Sequence, residues 1–359
     1  MKRVLMTADT VGGVWNYALA LIRALEEWEF ALCTMGAPLS ASQQREISTL
    51  KNARLFPSSF KLEWMDDPWG DVDAASEWLL EIAARFQPDI IHLNGYSHAS
   101  LPWSAPVIVV AHSCVLSWWR AVKHENAPSR FDEYQGRVAA GLNAADLVIA
   151  PSHAMLHSLS GNYDAQFIGR VIHNGCDASH FQAADKSPRI LAAGRIWDEA
   201  KNLRALDRAA PFLPWPIEIA GDASAPSGSA VELFHARALG KLTPADLVYA
   251  LRHASIFAAP ARYEPFGLAI LEATLSGCAL VLGDIPSLRE LWNGVALFVD
   301  PDDDEQLTRT LNELIGDEPL RADLSMRARQ RALTFSGERM AAGYRAAYFK
   351  CMEKAKVAA

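Results

Sequence analysis

The chain is poor in cysteine. Its 359 residues include only five cysteines, an odd number, and no two of them form a Cys-x-x-Cys pair. Secreted domains held together by disulfides use even sets of cysteines, so this pattern favours buried free thiols and a reducing, cytoplasmic setting. The five are Cys33, Cys114, Cys176, Cys278 and Cys351.

Long hydrophobic runs and an excess of positive charge are also missing. No apolar segment reaches the roughly 18 residues that suggest a membrane-spanning helix, and the apolar run at the N-terminus is too short for a signal peptide. The 34 Lys and Arg are outnumbered by 42 Asp and Glu, which gives a net charge of −8. We therefore expect a soluble protein that does not bind nucleic acid and whose membrane contact is at most transient.

What the chain does have is enough length for two domains and a repeated strand–helix rhythm. Short β-branched runs alternate with helical patterns, which predicts parallel sheets covered by helices. The predicted strands are 4–7, 30–35, 90–93, 107–111, 147–150, 190–193, 217–220, 256–259 and 280–282. The predicted helices are 14–26, 73–86, 130–144, 203–209, 243–252, 266–276, 304–315 and 319–333.

The rhythm is interrupted once, at a turn and polar linker over about 175–188, and then restarts. This predicts two doubly wound, Rossmann-like α/β domains over 1–175 and 188–336, with a ligand at the carboxyl ends of the strands in a cleft between them. Residues 1–180 hold 13 Lys and Arg against 19 Asp and Glu, or −6, and the remainder holds 21 against 23, or −2. The second domain is therefore the better candidate for binding a diphosphate.

The segment that begins at Arg262, Arg-Tyr-Glu-Pro-Phe-Gly-Leu-Ala-Ile-Leu-Glu, carries the clearest chemistry. Its Pro-Phe-Gly-Leu turn opens a helix, and a helix start offers free backbone N–H groups to an anion. The carboxylates of Glu264 and Glu272 can accept hydrogen bonds from sugar hydroxyls. From the residues alone, the two carboxylates could instead complement the helix dipole or form the acid and nucleophile of a glycosidase.

This Glu-Pro-Phe-Gly-Leu-x-x-x-Glu pattern resembles the signature of the retaining glycosyltransferases of family 4 (group 1), which have the GT-B fold. The resemblance implies that Glu264 contacts the donor sugar and that Glu272 binds the ribose of the nucleotide. It also implies that backbone N–H groups near Phe266, Gly267 and Leu268 stabilise the departing diphosphate.

The same resemblance covers nearly the whole chain. It implies that a last helix, 337–352, packs back on the first domain. It also implies that Leu242 presents its backbone to the nucleotide base.

A glycine pair, Gly12 and Gly13, follows the first predicted strand and precedes a helix. Two glycines let a backbone approach a phosphate closely, although the pair alone also fits a plain tight turn. The family carries Gly-Gly in this loop, near the donor phosphates. Starch and glycogen synthases have a Lys two residues before the first Gly, where this chain has Thr10, which argues against an α-glucan synthase.

Three further residues gain a role from the resemblance. His112 ends a predicted strand, where ligands bind in open sheets and where the family has a His near the donor sugar. Arg195 and Lys201 follow the first strand of the second domain and can neutralise a diphosphate together, although they also fit a solvated loop. Their spacing of six residues is one more than we expect in many members of the family.

The acceptor side is the least defined. Trp118, Trp119 and Arg120 follow His112 closely and could stack on a sugar, or the aromatic rings could belong to the core. The acidic clusters at 66–67 and 302–304 fit solvated loops, and GT-B enzymes generally need no metal, so we expect none.

Together these motifs and the family they resemble imply a retaining, metal-independent hexosyltransferase of glycan, polysaccharide or glycoconjugate biosynthesis. Its donor would be a nucleotide-diphosphate sugar, most simply UDP- or GDP-linked, with no other cofactor. A glycan, a lipid-linked intermediate or a small metabolite could be the acceptor. The alternatives are a GT-B-like epimerase, a phosphorylase, for which no pyridoxal-phosphate lysine motif is present, or a non-catalytic sugar-binding protein.

Overall fold

The computed structural model describes residues 1–224, 228 and 230–358. Contacts within the chain divide it into two compact units. Unit 1 comprises Met1–Arg120, Glu125–Gly175 and Gly337–Ala359, and unit 2 comprises Ala121–His124 and Cys176–Ser336. Each unit is built on one parallel sheet accompanied by helices, which confirms the predicted α/β class.

Unit 1 contains a seven-stranded sheet with the order β3-β2-β1-β4-β5-β6-β7. Its strands are β1 (Lys2–Asp9), β2 (Trp28–Met35), β3 (Ala53–Pro57), β4 (Ile90–Leu93), β5 (Val107–Val110), β6 (Leu147–Ala150) and β7 (Gly169–Val171). The helices between them are α1 (Gly13–Ala24), α2 (Ala41–Ser48), α3 (Trp69–Phe86), α4 (Val115–Lys123), α5 (Asp132–Ala144) and α6 (His153–Asn162). The end of α4, from Ala121, is grouped with unit 2. Because β1, β4 and β5 are neighbours, the loops that follow them leave the same edge of the sheet side by side.

Unit 2 contains a six-stranded sheet with the order β10-β9-β8-β11-β12-β13. Its strands are β8 (Ser187–Ala193), β9 (Ile217–Ala220), β10 (Arg237–Gly240), β11 (Ala254–Ala259), β12 (Ala279–Gly283) and β13 (Leu297–Val299). Its helices are α7 (Leu203–Ala209), α8 (Pro244–His253), α9 (Leu268–Leu275), α10 (Pro286–Trp292), α11 (Asp304–Gly316) and α12 (Glu318–Ala332).

The sheet of unit 2 is covered on both faces. Successive residues of one strand enter different hydrophobic clusters: Ile190 packs with α7 and α11, whereas Leu191 packs with α8 and α9. Side chains alternate between the two faces of a strand, so two clusters on one strand mean two covered faces. This is the doubly wound arrangement.

The last helix, α13 (Gly337–Ala358), belongs to unit 1. Tyr344 and Tyr348 on this helix are completely buried, and the Tyr348 ring lies edge-on to Trp28 at 5.2 Å between centroids. At the surface, Arg345 Nε lies 2.7 Å from Glu27 Oε1. The helix therefore contributes core side chains to a unit whose other residues are at the opposite end of the chain.

Helix α9 begins later than the sequence pattern predicts. We predicted 266–276, but α9 begins at Leu268 because Gly267 has φ of 87°, a left-handed conformation outside the helical range. A Cβ at Gly267 would also lie 2.7 Å from Ile270 Cδ1. The glycine thus sets the point at which the helix starts.

Candidate functional site

In unit 2, two neighbouring strands bring two of the motifs together. β8 and β11 pair in parallel, with Leu191 opposite Phe257, so the loops after them lie at one edge of the sheet. Lys201 follows β8 and Glu264 follows β11, and Lys201 Nζ lies 2.5 Å from Glu264 Oε2. Both side chains are largely buried. The two residues that were expected to bind phosphate and sugar therefore form an ion pair with each other.

Arg195 lies in the same loop and is oriented by a residue that the sequence analysis did not single out. Its Nε and Nη2 lie 3.2 and 2.5 Å from Asp198 Oδ2. Burial acts to raise the pKa of Asp198, but the charges of Arg195 and Lys201 outweigh it and the pKa falls below its usual value. Asp198 is therefore ionised and fixes one edge of the guanidinium.

The loop after β8 also rests on the loop after β9. Ile196 N donates to Asp222 O at 2.8 Å, and Gly194 N donates to Ala220 O at 2.9 Å. A Cβ on Gly221 would lie 1.7 Å from Gly194 O, so the two backbones approach at a distance that only glycine allows. This contact places the backbone that carries Arg195.

The start of α9 has no side-chain cap among the described residues, and Gly267 precedes the helix. Phe266 is buried beside Phe335, whose ring lies edge-on at 5.7 Å between centroids. Leu268, directly after Gly267, is the first residue of the helix. The helix dipole and the free N–H groups would favour a phosphate here.

Glu272 lies one turn further along α9 and differs from Glu264. Burial raises its pKa to about 7. Cys176 is close enough for the two groups to interact, and burial, reinforced by Glu272, raises the pKa of this thiol to about 12. Since the neighbouring thiol is neutral, it gives Glu272 no counter-charge. Among the described residues no hydrogen bond to the Glu272 side chain is present, so its oxygens can accept bonds from a ligand.

Leu242 lies between β10 and α8, with its side chain half-buried against the cluster on one face of the sheet. Gly240, two residues earlier, has φ of 68°, which turns the chain after β10. The structure places Leu242 in a loop at the edge of unit 2, where its backbone lies outside regular secondary structure.

In unit 1, the glycine pair opens α1. Gly12 precedes the helix with φ of 145°, Gly13 is its first residue, and both are exposed. No side chain in the described part of the chain caps this helix start. Thr10 Oγ1 donates to Ala37 O at 2.7 Å, so its hydroxyl is used in holding the loop.

His112 follows β5 and is held by residues from the neighbouring loop and helix. Its Nε2 lies 2.8 Å from Asn94 Oδ1, and its ring lies edge-on to Tyr17 at 4.4 Å between centroids. Burial lowers the pKa of His112 to about 3. The imidazole is therefore neutral at ordinary pH, which suits a hydrogen-bonding role better than a charged one.

The residues behind His112 were not predicted from the sequence. Asn94 follows β4 as His112 follows β5. The rule that ligands bind at the carboxyl ends of parallel strands, which selected His112, could therefore have selected Asn94 as well. His92, on β4, is fully buried, and its Nδ1 lies 2.6 Å from Tyr348 Oη of α13. That contact joins residues 256 positions apart, and no local pattern in the sequence could reveal it.

The tryptophans expected on the acceptor side are partly buried in α4. The rings of Trp118 and Trp119 lie edge-on at 5.7 Å, and Trp119 lies 6.1 Å from the Phe131 ring. Arg120 is exposed and lines a cavity of about 220 Å³ within unit 1. The cavity is lined by Leu116, Arg120, Asn126, Ala127, Pro128, Phe131, Asp132, Gln135 and Asn162.

The described residues show neither a metal-binding cluster nor a membrane-spanning helix. Across the described residues, no group of three His, Cys, Asp or Glu side chains is placed to hold a metal ion. None of the helices formed by these residues combines the length and apolar composition that crossing a lipid bilayer requires.

Two family models match the chain in succession. The model described as Glycosyltransferase Family 4 matches residues 11–180, and the model described as Glycosyl transferases group 1 matches residues 181–331.

Curated relatives match shorter stretches. The O-antigen chain mannosyltransferase B of Escherichia coli is 33% identical over 102 residues, which are 28% of this chain and 27% of the relative. The phosphatidyl-myo-inositol mannosyltransferase of Mycolicibacterium smegmatis is 33% identical over 178 residues, 45% of this chain and 46% of the relative. The matches thus span less than half of either relative.

Solved structures match over almost the full chain. Sucrose-phosphate synthase from Thermosynechococcus elongatus has a TM-score of 0.81 at 17% identity and covers 98% of this chain and 99% of its own. Anabaena HepE, solved with UDP and glucose, has a TM-score of 0.77 at 15% identity and covers 98% and 100%. These likenesses show the fold, and the two family models show the class. The chain belongs to the group 1 glycosyltransferases and has the GT-B fold, as its motifs predicted.

Proposed function

We propose that the protein is a retaining glycosyltransferase that moves a sugar from a nucleotide-diphosphate donor to an acceptor hydroxyl. The observation that carries the proposal is the edge of unit 2, where Lys201 and Glu264 meet beside the loop of Arg195. Cations, a sugar-binding carboxylate and an uncapped helix start are the groups that a sugar diphosphate requires.

The leaving group is the centre of the chemistry. As the anomeric C–O bond breaks, negative charge grows on the diphosphate, and donors already fixed in place lower the barrier. An ammonium has three N–H donors, so Lys201 can keep Glu264 and still bind a phosphate oxygen. Arg195 uses Nε and Nη2 on Asp198 and retains further N–H donors for the diphosphate.

Glu264 is proposed to position the donor sugar, and Glu272 to accept hydrogen bonds from the ribose. Glu272 is suited to this because burial leaves its carboxylate without a counter-charge, and hydroxyl donors would relieve that state. Gly12 and Gly13 are proposed to approach the donor phosphates, and Leu242 to present its backbone to the base. His112 is proposed to orient a sugar or acceptor hydroxyl.

The acceptor is proposed to be a hydroxyl-rich molecule held by unit 1. The cavity of about 220 Å³ beside Arg120 supports this, because Asp132 and Gln135 on its wall offer acceptors and donors to vicinal hydroxyls. Asn162 lines the same cavity, and its Oδ1 has no hydrogen-bond partner among the described residues.

The donor proposal is tested by calorimetric titration of UDP, GDP and ADP. We expect one nucleotide to bind, and the Glu272→Ala variant to bind it roughly ten- to a hundred-fold more weakly, because a charge-assisted hydrogen bond is lost. Glu313→Ala, an exposed carboxylate on α11, is the matched control and should bind as the wild type does. Equal affinity in the Glu272 variant would remove the ribose role.

Retention is tested separately, on the product. Incubation of the matching nucleotide sugars with candidate acceptors should give a glycoside whose anomeric configuration, read by NMR, is that of the donor. An inverted product would contradict the retaining mechanism. Failure to turn over any donor that binds would favour the non-catalytic alternative.

A further inference from the structure

A series of hydrogen-bonding groups behind His112 ends on the last helix. His112 Nε2 lies 2.8 Å from Asn94 Oδ1, and His92 Nε2 lies 3.3 Å from the same oxygen. On the other side of the His92 ring, Nδ1 lies 2.6 Å from Tyr348 Oη. His92 Nε2 also lies 3.3 Å from the hydroxyl of Tyr17. Four elements of unit 1 thus meet around two imidazoles.

The side-chain amide of Asn94 can face only one way. Its nitrogen lies 2.6 Å from Thr7 O, and a carbonyl oxygen can only accept a hydrogen bond. The backbone N of Asn94 donates to Thr7 Oγ1 at 2.9 Å, which fixes the residue against β1. The amide nitrogen therefore faces Thr7, and the amide oxygen faces the imidazoles.

This orientation decides where the protons lie on both rings. Because Asn94 Oδ1 only accepts, His112 Nε2 at 2.8 Å must carry a proton. The longer contact of His92 Nε2 with the same oxygen also requires a proton on the nitrogen. His92 Nδ1 then carries no proton and accepts a hydrogen bond from the Tyr348 hydroxyl. Each ring then carries one proton. This agrees with burial, which lowers the pKa of each histidine to about 3, with His112 further disfavouring charge on His92.

We propose that Asn94 is a positioning residue that holds His112 as the Nε2–H tautomer, so that its Nδ1 accepts a hydrogen bond from a hydroxyl of the sugar substrate. Tyr348 supports this arrangement by holding His92 against Asn94. The inference rests on the proposed function, because His112 must meet the substrate. Among the described residues there is no hydrogen bond to His112 Nδ1, and the residue is partly exposed.

The tautomer itself can be measured without any substrate. The protein has ten histidines, and ¹⁵N-histidine NMR distinguishes Nε2–H, Nδ1–H and doubly protonated rings. His112 is assigned from the signal that is missing in His112→Gln. We expect the neutral Nε2–H form of His112 from about pH 5 to about pH 8 in the wild type, and a mixture of tautomers in Asn94→Ala. An Nδ1–H ring in the wild type, or an unchanged tautomer in the variant, would overturn the inference.

Transfer kinetics then test the consequence for the reaction. Asn94→Ala should lower kcat roughly ten- to a hundred-fold, as expected for a lost orienting hydrogen bond, while nucleotide affinity changes less than about twofold. Asn94→Asp keeps an acceptor for Nε2–H, so the tautomer should return. Its negative charge should also raise the pKa of His112, so its rate should fall at low pH where the wild type is still active.

Tyr348→Phe has a matched control on the same helix. Tyr344 is equally buried, and its ring lies 5.5 Å from the His92 ring, but its hydroxyl interacts with Tyr17 and makes no hydrogen bond to either imidazole. We expect Tyr348→Phe to lower kcat several-fold and to broaden the tautomer distribution of His92, and Tyr344→Phe to do neither. Equal effects of the two substitutions would overturn the part assigned to Tyr348.

The two kinds of failure are distinguishable. If His112 has the expected tautomer but Asn94→Ala transfers sugar at the wild-type rate, His112 does not meet the substrate and its place in the proposed function is wrong. If the tautomer is the other one while nucleotide binding depends on Glu272, the proposed function stands and the inference about Asn94 is overturned.

Discussion

Two carboxylates of one motif are held in opposite electrostatic surroundings. Glu264 lies beside the Lys201 ammonium, whereas Glu272 is enclosed on α9 with a pKa raised to about 7. A ligand that donates hydrogen bonds would relieve the second carboxylate, so the unfavourable free energy of its charged form is present only in the free protein. This residue therefore links ligand binding to stability.

We predict that Glu272→Gln stabilises the free protein at high pH while weakening nucleotide binding. The folded pKa is raised above the ordinary value of 4.5, so the native state binds the proton more tightly than the unfolded state. That stabilisation is present below about pH 4.5 and is lost as the pH rises through about 7. The variant should gain up to roughly 3 kcal/mol at pH 8 and little at pH 5.

Thermal unfolding of wild type and Glu272→Gln at the two pH values measures this difference. Glu313→Gln, on an exposed position of α11, controls for the loss of one negative charge. A pH-independent difference between Glu272→Gln and wild type would mean that the carboxyl titrates near its ordinary pKa.

The second prediction at this scale concerns Arg195 and Lys201, the two cations in the loop after β8. We expect Arg195→Ala combined with Lys201→Ala to lower kcat by more than it weakens donor binding, because phosphate charge grows in the transition state. Steady-state kinetics together with calorimetric donor affinities measure the two effects. Arg309→Ala, on the surface of α11, is the control. Proportional losses in rate and affinity would argue against leaving-group stabilisation.

At the scale of elements, the contact between the loops after β8 and β9 has a strict steric requirement. We predict that Gly221→Ala destabilises the protein by more than about 3 kcal/mol, since the new Cβ would meet Gly194 O and the residue has φ of 150°. Gly316→Ala, at the end of α11, meets nothing within 4 Å and should be neutral or stabilising. Chemical denaturation of both variants makes the comparison, and equal stability would show that the loops can separate freely.

Inner strands of the two sheets were predictable from the sequence, and edge strands were not. Every strand inside the two sheets was predicted, and the four that were missed, β3, β7, β10 and β13, are the four edge strands. Central parallel strands are buried on both faces and appear as continuous apolar runs. An edge strand such as β10, which is mostly exposed, has no such run. Edge strands were therefore missed because they are not buried on both faces and so lack a continuous apolar run.

In the candidate site, too, some contacts were predictable from the sequence and others were not. Lys201 and Glu264 could be placed together from the sequence, because strand ends in a parallel sheet share one edge. The contact of Tyr348 with His92 could not, because it depends on how α13 packs on a sheet formed from the opposite end of the chain. Asp198 was missed for another reason: an acidic residue in a loop gives no sign of its burial.

For the whole molecule, the chain order sets what each unit needs in order to fold. Unit 2 is almost entirely one continuous stretch, whereas unit 1 requires α13 from beyond it. We predict that ending the chain after Ser336 unfolds unit 1, because losing the buried Tyr344 and Tyr348 costs on the order of 3–5 kcal/mol each, against a typical total of about 5–15. Unit 2 should stay folded and keep its amide hydrogens protected from exchange.

Hydrogen exchange followed by mass spectrometry reports the two units separately in the shortened protein. A chain ended after Met352 is the control, because residues 353–357 are exposed and their loss should leave both units protected. Full protection of unit 1 without α13 would show that its sheet is stable without these tyrosines.

The position of α13 has a consequence for protein synthesis. A ribosome makes the segment with Lys201, Glu264 and Glu272 before it makes Tyr348, so the part of the proposed nucleotide site that lies in unit 2 is finished while the support behind His112 is still missing. A gene with a premature stop codon near its end would then encode a protein that captures donor without transferring it. Coexpressed with the intact enzyme, we expect such a product to compete for nucleotide sugar, so that a late nonsense mutation is more harmful than an early one.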